Sequence, residues 1–215
     1  MNRFIIMIGV MLLLAACTSE GKSEAEEGTG QDKSSSLVIK PAELTEREES
    51  LVTQMGVDYK TFYTVSGKLG KGDVVVSSIL VYEANEEPKE KIVSISRTGD
   101  AKEFDGGLHS FQVLLEEKET YLTLGNPNGY ARGTTTMPKD LRGYRFDSFE
   151  EDVTVTKGTP LYLSYLIGTS QNQLTGGGFV DQTVLPESVK EAEYALVFKV
   201  EIREESELYK DKEEE

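Results

Sequence analysis

The chain has no tryptophan, and only one cysteine and one histidine in 215 residues. A single cysteine excludes an internal disulfide, and one cysteine with one histidine excludes the Cys/His clusters of structural zinc sites. A Ser-His-acid triad would have to use His109 as its base. No Gly-x-Ser-x-Gly elbow is present to place a nucleophile. Ser110 is adjacent to His109 and so points to the other face of a strand. His109 therefore reads as a strand-face histidine beside a turn. The lack of tryptophan, with few aromatics to spare, speaks against a sugar-binding platform. Carboxylate pairs of the glycosidase kind stay open, because such acids come from distant positions.

Positive charge is also scarce. There are 23 Lys and Arg against 38 Asp and Glu, a net charge of -15. A nucleic-acid binder would carry the opposite excess, and a polybasic grip on anionic lipid is disfavoured for the same reason. The acidity serves solubility. Gly67 to Asp73 (GKLGKGD) lacks the Gly-x-x-x-x-Gly-Lys-Ser/Thr spacing of a phosphate cradle and reads as a hairpin loop. Glu150-Glu151-Asp152 could offer calcium oxygen ligands, but consecutive carboxylates are not an EF-hand pattern, and an exposed acidic turn fits better. No catalytic residue, metal site or cofactor is expected.

At the N-terminus, Met1-Asn2-Arg3 supplies a short positive end, and Phe4 to Ala16 (FIIMIGVMLLLAA) is apolar and uncharged. As a helix this run rises roughly 20 Å, too little for a hydrocarbon core of about 30 Å. It has the build of a signal peptide. Leu14-Ala15-Ala16-Cys17 resembles the lipobox of bacterial lipoprotein precursors. The resemblance implies cleavage between Ala16 and Cys17 and a diacylglyceryl thioether on Cys17. One acyl chain, such as palmitate, holds a protein only marginally, while the two of a diacylglyceryl group give a stable anchor. An ordinary secretory peptide or an uncleaved anchor is the alternative.

The organisation expected from these readings is a signal peptide over 1–16, a disordered tether over 17–36, a folded domain over 37–204 and a frayed acidic tail over 205–215. Thr18 to Ser36 has Ala25 as its single apolar side chain, too little to offset the entropy of ordering. Thr45-Glu46-Arg47-Glu48 reads as a capping box, followed by an apolar stripe of Leu51, Val52 and Met55 and by Gly56 as the residue after the helix. After the helix the period becomes two. Val74 to Tyr82 (VVVSSILVY) reads as a central strand covered on both faces. Lys91 to Arg97, Leu108 to Leu115, Tyr121 to Leu124 and Val153 to Val155 read as further strands. Leu161, Leu163, Tyr165 and Ile167 are expected on one face of another. Tyr194, Leu196, Phe198, Val200 and Ile202 are expected on the core face of the last. Residues 130–149 read as irregular, 168–178 as a glycine-rich loop, and 186–192 as a second short helix.

The pattern predicts an antiparallel β-sandwich of immunoglobulin-like kind. The segment Leu44 to Val65 resembles uncharacterised extracellular lipoproteins of Gram-positive bacteria. That resemblance implies a β-sandwich and brings neither activity nor site residues.

Two stretches are candidates for binding, each with a plainer alternative: arginines paired with the surrounding carboxylates in the first, a simple connection in the second. Residues 130–145 form a basic island, with Arg132, Arg142 and Arg145 as a candidate anion site for a wall polymer or a carboxylate. The loop 168–178 lies where sandwich loops commonly carry binding. The function expected is a lipid-anchored, extracytoplasmic interaction module on the cell membrane. Its partners would be the bilayer, through Cys17, and a cell-wall polymer or envelope protein, with no nucleic acid and a monomeric folded part. An enzyme acting on envelope material is the second reading. A solute-binding lipoprotein is the third, disfavoured because such proteins resemble two-lobed α/β folds and need more chain.

Overall fold

Strand-forming sequence collects into two antiparallel sheets packed face to face, a β-sandwich. The computed structural model describes residues 35–84, 86–98, 103–171 and 177–212. Ala16, Cys17, the signal run and the tether up to residue 34 lie outside the described residues. In chain order the elements are β1 (Ser36–Pro41), α1 (Glu46–Gln54), β2 (Tyr59–Lys68), β3 (Asp73–Glu83), β4 (Lys89–Ser96) and β5 (Phe104–Leu115). There follow β6 (Thr120–Asn126), β7 (Gly129–Thr135), β8 (Gly143–Ser148), β9 (Val153–Thr156), β10 (Leu161–Thr169), α2 (Glu187–Lys190) and β11 (Tyr194–Glu204). One sheet has six strands in the order β7-β6-β5-β2-β1-β9. The other has five in the order β4-β3-β11-β10-β8. These are more strands than the seven or nine of immunoglobulin domains.

Alternation builds the core. Tyr63 and Val65 on β2, Phe111 and Val113 on β5, and Leu122 and Leu124 on β6 turn inward from the six-stranded sheet. Tyr194, Leu196, Phe198, Val200 and Ile202 on β11 meet them, all 2% exposed or less. Each such side chain contributes ~1.5–3 kcal/mol relative to exposure.

Strand β3 is buried on both faces, as its nearly continuous apolar run requires. Val75, Ile79 and Val81 enter the inter-sheet core. Leu80, on the other face, joins a second cluster with Tyr165, Ile167, Leu185, Val189, Ala195 and Val197. Leu185 and Val189 come from the segment that holds α2, so this segment covers the outer face of the five-stranded sheet.

Several expectations change. Residues 130–149 are not irregular: they hold β7 and β8, each at a sheet edge. Edge strands need few apolar residues, and glycine and threonine hid the alternation. Leu161, Leu163, Tyr165 and Ile167 do not share one face, because the β10 register shifts between Tyr162 and Ser164. Leu163 and Ser164 both point inward, where the Ser164 and Thr61 hydroxyls share a hydrogen bond of 2.8 Å between the sheets. Tyr165 and Ile167 are thereby sent to the second cluster, the expected effect of one extra residue in a strand.

The two ends of the folded region also extend further than expected. Ser35 is buried and Ser36 opens β1. The Ser35 hydroxyl accepts from the Gly70 amide at 2.6 Å and donates to the Asp73 carboxylate. Lys157 closes on the other Asp73 oxygen at 2.7 Å. Burial acts to raise the Asp73 pKa, but Lys157 and Ser35 outweigh it and hold the carboxyl below its ordinary value. Gly67 has φ +123°, and a Cβ there would stand 2.5 Å from the Ser36 carbonyl oxygen, so only glycine allows β1 this close. Beyond β11, Glu205–Lys212 forms a 3₁₀ helix rather than a frayed tail. Its Glu205 amide donates to the Gly72 carbonyl at 2.8 Å, and Arg97 pairs with the Glu205 carboxylate.

Candidate binding face

The two sheets differ on their outer sides. The α2 segment lies on one of them. Among the described residues the outer face of the six-stranded sheet carries no such layer over β5, β6 and β7: Leu108, Tyr130, Arg132 and Thr134 are exposed, and Gln112, Leu114 and Tyr121 are half-buried, as is Phe62 on β2. Strand register aligns these residues in rows. Arg132 on β7 stands opposite Thr123 on β6, Thr123 opposite Gln112 on β5, and Gln112 opposite Lys60 on β2. The adjacent row runs Tyr130, Gly125, Ser110 and Phe62. On the other side stand Thr134, Tyr121 and Leu114.

The rows are held by their own hydrogen bonds. Arg132 Nε donates to Thr123 Oγ1 at 3.1 Å, and the guanidinium carbon lies 5.5 Å from the centre of the Tyr130 ring. Gln112 Nε2 donates to Ser110 Oγ at 3.0 Å. These contacts explain why Thr123 and Ser110 are buried on a face that no other layer of the described residues covers. Tyr130 is 71% exposed, an unusual position for so large a ring.

Beside this face, α1 stands over a groove of about 640 Å³ lined by Pro41, Leu44, Val52, Lys60, Phe62 and Phe149, among others. The capping box forms as expected: Glu48 N–H donates to Thr45 Oγ1 at 3.4 Å, and Thr45 N–H donates to Glu48 Oε2 at 2.8 Å. Gly56 takes φ +67° after the helix. The apolar stripe, however, does not pack. The helix buries no residue; Leu51 and Met55 are 54% and 58% exposed, and Val52 alone of the three is half-buried, against the groove. Backbone bonds hold the two ends of this excursion instead, from Ala42 N–H to Phe62 O at 2.9 Å and from Asp58 N–H to Val113 O at 3.1 Å.

The sequence candidates fall in several places. Arg132 lies on β7, whose neighbours across the sandwich include β4. Arg145 lies on β8, four strands away from β4 in the other sheet, so roughly 19 Å separates those edges. Arg145 pairs with Asp147 at 3.5 Å. Arg142 precedes β8 and is tied by its backbone N–H to the Thr169 carbonyl at 2.8 Å. The structure thus sets Arg142 near Arg145 and leaves Arg132 at the opposite edge. Asp147 also accepts from the Tyr165 hydroxyl at 3.1 Å, and burial, then the Asp147 charge, pushes that phenol up to about 12. Asp152 in the acidic turn pairs with Lys40. Gly67 and Lys68 continue β2, which shortens the expected hairpin loop. Of the 168–178 loop, residues 172–176 lie outside the described residues.

His109 sits in the core, 3% exposed, opposite Tyr63 with ring centres 5.2 Å apart. Its Nε2 has no hydrogen-bond partner among the described residues. Burial pushes its pKa down to about 4, which keeps it neutral. Among the described residues no cluster of three His, Cys, Asp or Glu side chains is placed to hold a metal, and no helix is long and apolar enough to cross a membrane.

The chain matches no family model, and no curated protein or solved structure matches it. Site chemistry therefore has to come from these residues. Sequence reasoning missed the uncovered face because it left 130–149 without strands. The signal was present: in Tyr130-Ala131-Arg132-Gly133-Thr134, large and small residues alternate with period two.

Proposed function

We propose that this protein is an extracytoplasmic lipoprotein, held on the cell membrane by acyl chains on Cys17, that acts as a non-catalytic binding module. The observation that carries the binding reading is the uncovered outer face of the six-stranded sheet, with Tyr130, Arg132, Tyr121 and Phe62 presented in register. A sandwich that hid both outer faces would have only loops to offer. The lipobox Leu14-Ala15-Ala16-Cys17 and the short apolar run before it support the anchor. Placement of His109 in the core, against the Tyr63 ring, supports a non-catalytic role, because a general base has to reach substrate.

Two measurements test the proposal. Cys17→Ser should release or mislocalise the protein on cell fractionation; unchanged retention would mean an uncleaved anchor. The purified full chain in detergent micelles should be retained on isolated cell envelopes, and Tyr130→Ala with Arg132→Gln should lower the retained fraction severalfold. Equal retention of the double variant would remove the face from the proposal.

A further inference from the structure

The row that crosses the uncovered face from Arg132 to Lys60 has a charge opposite to that of the chain. Where β2, β5, β6 and β7 pair side by side, the outward positions 60, 62 and 64, 108 to 114, 121 to 125 and 130 to 134 hold Lys60 and Arg132 and no Asp or Glu; Asp105 lies at the far end of β5, and Lys40 on β1 is paired with Asp152. The whole chain carries -15. An anionic ligand would meet less repulsion along this row than over most of the surface, so charge favours this side for docking.

We propose that this face binds an acidic glycan, a sugar chain bearing carboxylates, laid across the strands along the row Arg132, Thr123, Gln112 and Lys60. The inference rests on the binding-module reading above and adds the ligand class. Three features of the row carry it. Its ends are basic and three strand spacings apart, roughly 14 Å, which suits a short run of sugar rings with carboxylates at intervals. Its middle offers the Thr123 hydroxyl and the Gln112 amide, groups that exchange hydrogen bonds with sugar hydroxyls. Its flanks carry the Tyr130, Phe62 and Tyr121 rings, whose faces can receive the apolar faces of sugar rings.

Arg132 is prepared for the task. Its Nε bond to Thr123 and the Tyr130 ring beside it restrain the guanidinium, and only one of its five N–H donors is spent. A carboxylate can be met by the remaining donors in bidentate fashion. A nucleic acid would require far more cations than Arg132 and Lys60. The absence of tryptophan does not count against the face, because tyrosine and phenylalanine supply the rings.

The test uses the full chain in detergent micelles and polygalacturonate as probe. Neutral dextran and poly-L-glutamate serve as comparisons. Polygalacturonate should bind and dextran should not, and binding should weaken as salt rises. Arg132→Gln and Tyr130→Ala should each weaken it about tenfold. Arg145→Gln, at the far edge, should leave it unchanged. Unaltered thermal midpoints will establish that each variant folds. Equal binding of poly-L-glutamate would overturn the glycan in favour of an acidic peptide. No polygalacturonate binding, with envelope retention still lost in the double variant, would overturn the ligand class and spare the binding face. Loss of neither would overturn both.

Discussion

The Phe111 ring lies parallel to that of Phe198, with centres 5.2 Å apart and planes 3° from coplanar. Phe111 belongs to the six-stranded sheet and Phe198 to the five-stranded one, so this ring pair joins the layers. Tyr63 closes on Phe198 at 5.6 Å from the same side. Phe198→Ala should destabilise the fold by about 3–5 kcal/mol, the range for a large ring lost from a packed core. Urea unfolding of wild type and variant measures it. A loss below about 1 kcal/mol would mean that the sheets are held elsewhere.

His109 makes stability depend on pH. Its folded pKa of about 4 lies below its ordinary 6.5, so between those values the unfolded chain takes up a proton that the folded chain refuses. The contribution of the neutral imidazole is complete above about pH 6.5 and is lost as pH falls towards 4. The full loss is about 3 kcal/mol. His109→Phe should flatten the decline between pH 6.5 and 4.5 in parallel denaturation curves. An unchanged slope would place the titrating group elsewhere.

Asp73 ties the start of β1 to the β2–β3 turn and to Lys157. Asp73→Ala would leave the buried Ser35 hydroxyl with no acceptor and Lys157 with no partner. A cost of about 1–3 kcal/mol is expected. Proteolysis should shift to residues 69–72, where mass spectrometry would find the new cut.

Thr45→Ala removes the cap of a helix that buries nothing. Its cost of about 0.5–2 kcal/mol should appear locally. Amide hydrogen exchange in 46–54 should accelerate while the global unfolding midpoint stays put. A lowered midpoint would show that α1 supports the sandwich.

What the sequence disclosed depended on how strongly each residue was constrained. Tyr194 to Ile202 and Val74 to Tyr82 were legible because burial leaves apolar residues little alternative. The Thr45 box was legible because capping chemistry is local. Residues 130–149 were not, since an edge strand such as β7 is defined by its partner β6 rather than by its own apolar content. Tyr165 was assigned to the wrong face because a one-residue register shift leaves no mark in composition. The Leu51, Val52 and Met55 spacing gave the helix correctly but not its packing, which depends on how far β9 extends beside β1. That pairing spans only Ser36 to Ile39, and the groove opens just beyond it. The candidate face stayed hidden for a related reason: four residues from four strands form one row only once register is known.

The packing of β4 against β7 and β6 has a consequence for crowding. On that side each sheet shields the other's border, and β8 and β9 are left as the outer strands on the opposite side. Strand β9 is four residues long and follows Glu150, Glu151 and Asp152, while β8 carries the Arg145–Asp147 pair. Short or charged borders make poor templates for another chain's backbone. Copies at high local density could therefore lie side by side without zipping into a continuous sheet, and the broad outer face would stay open.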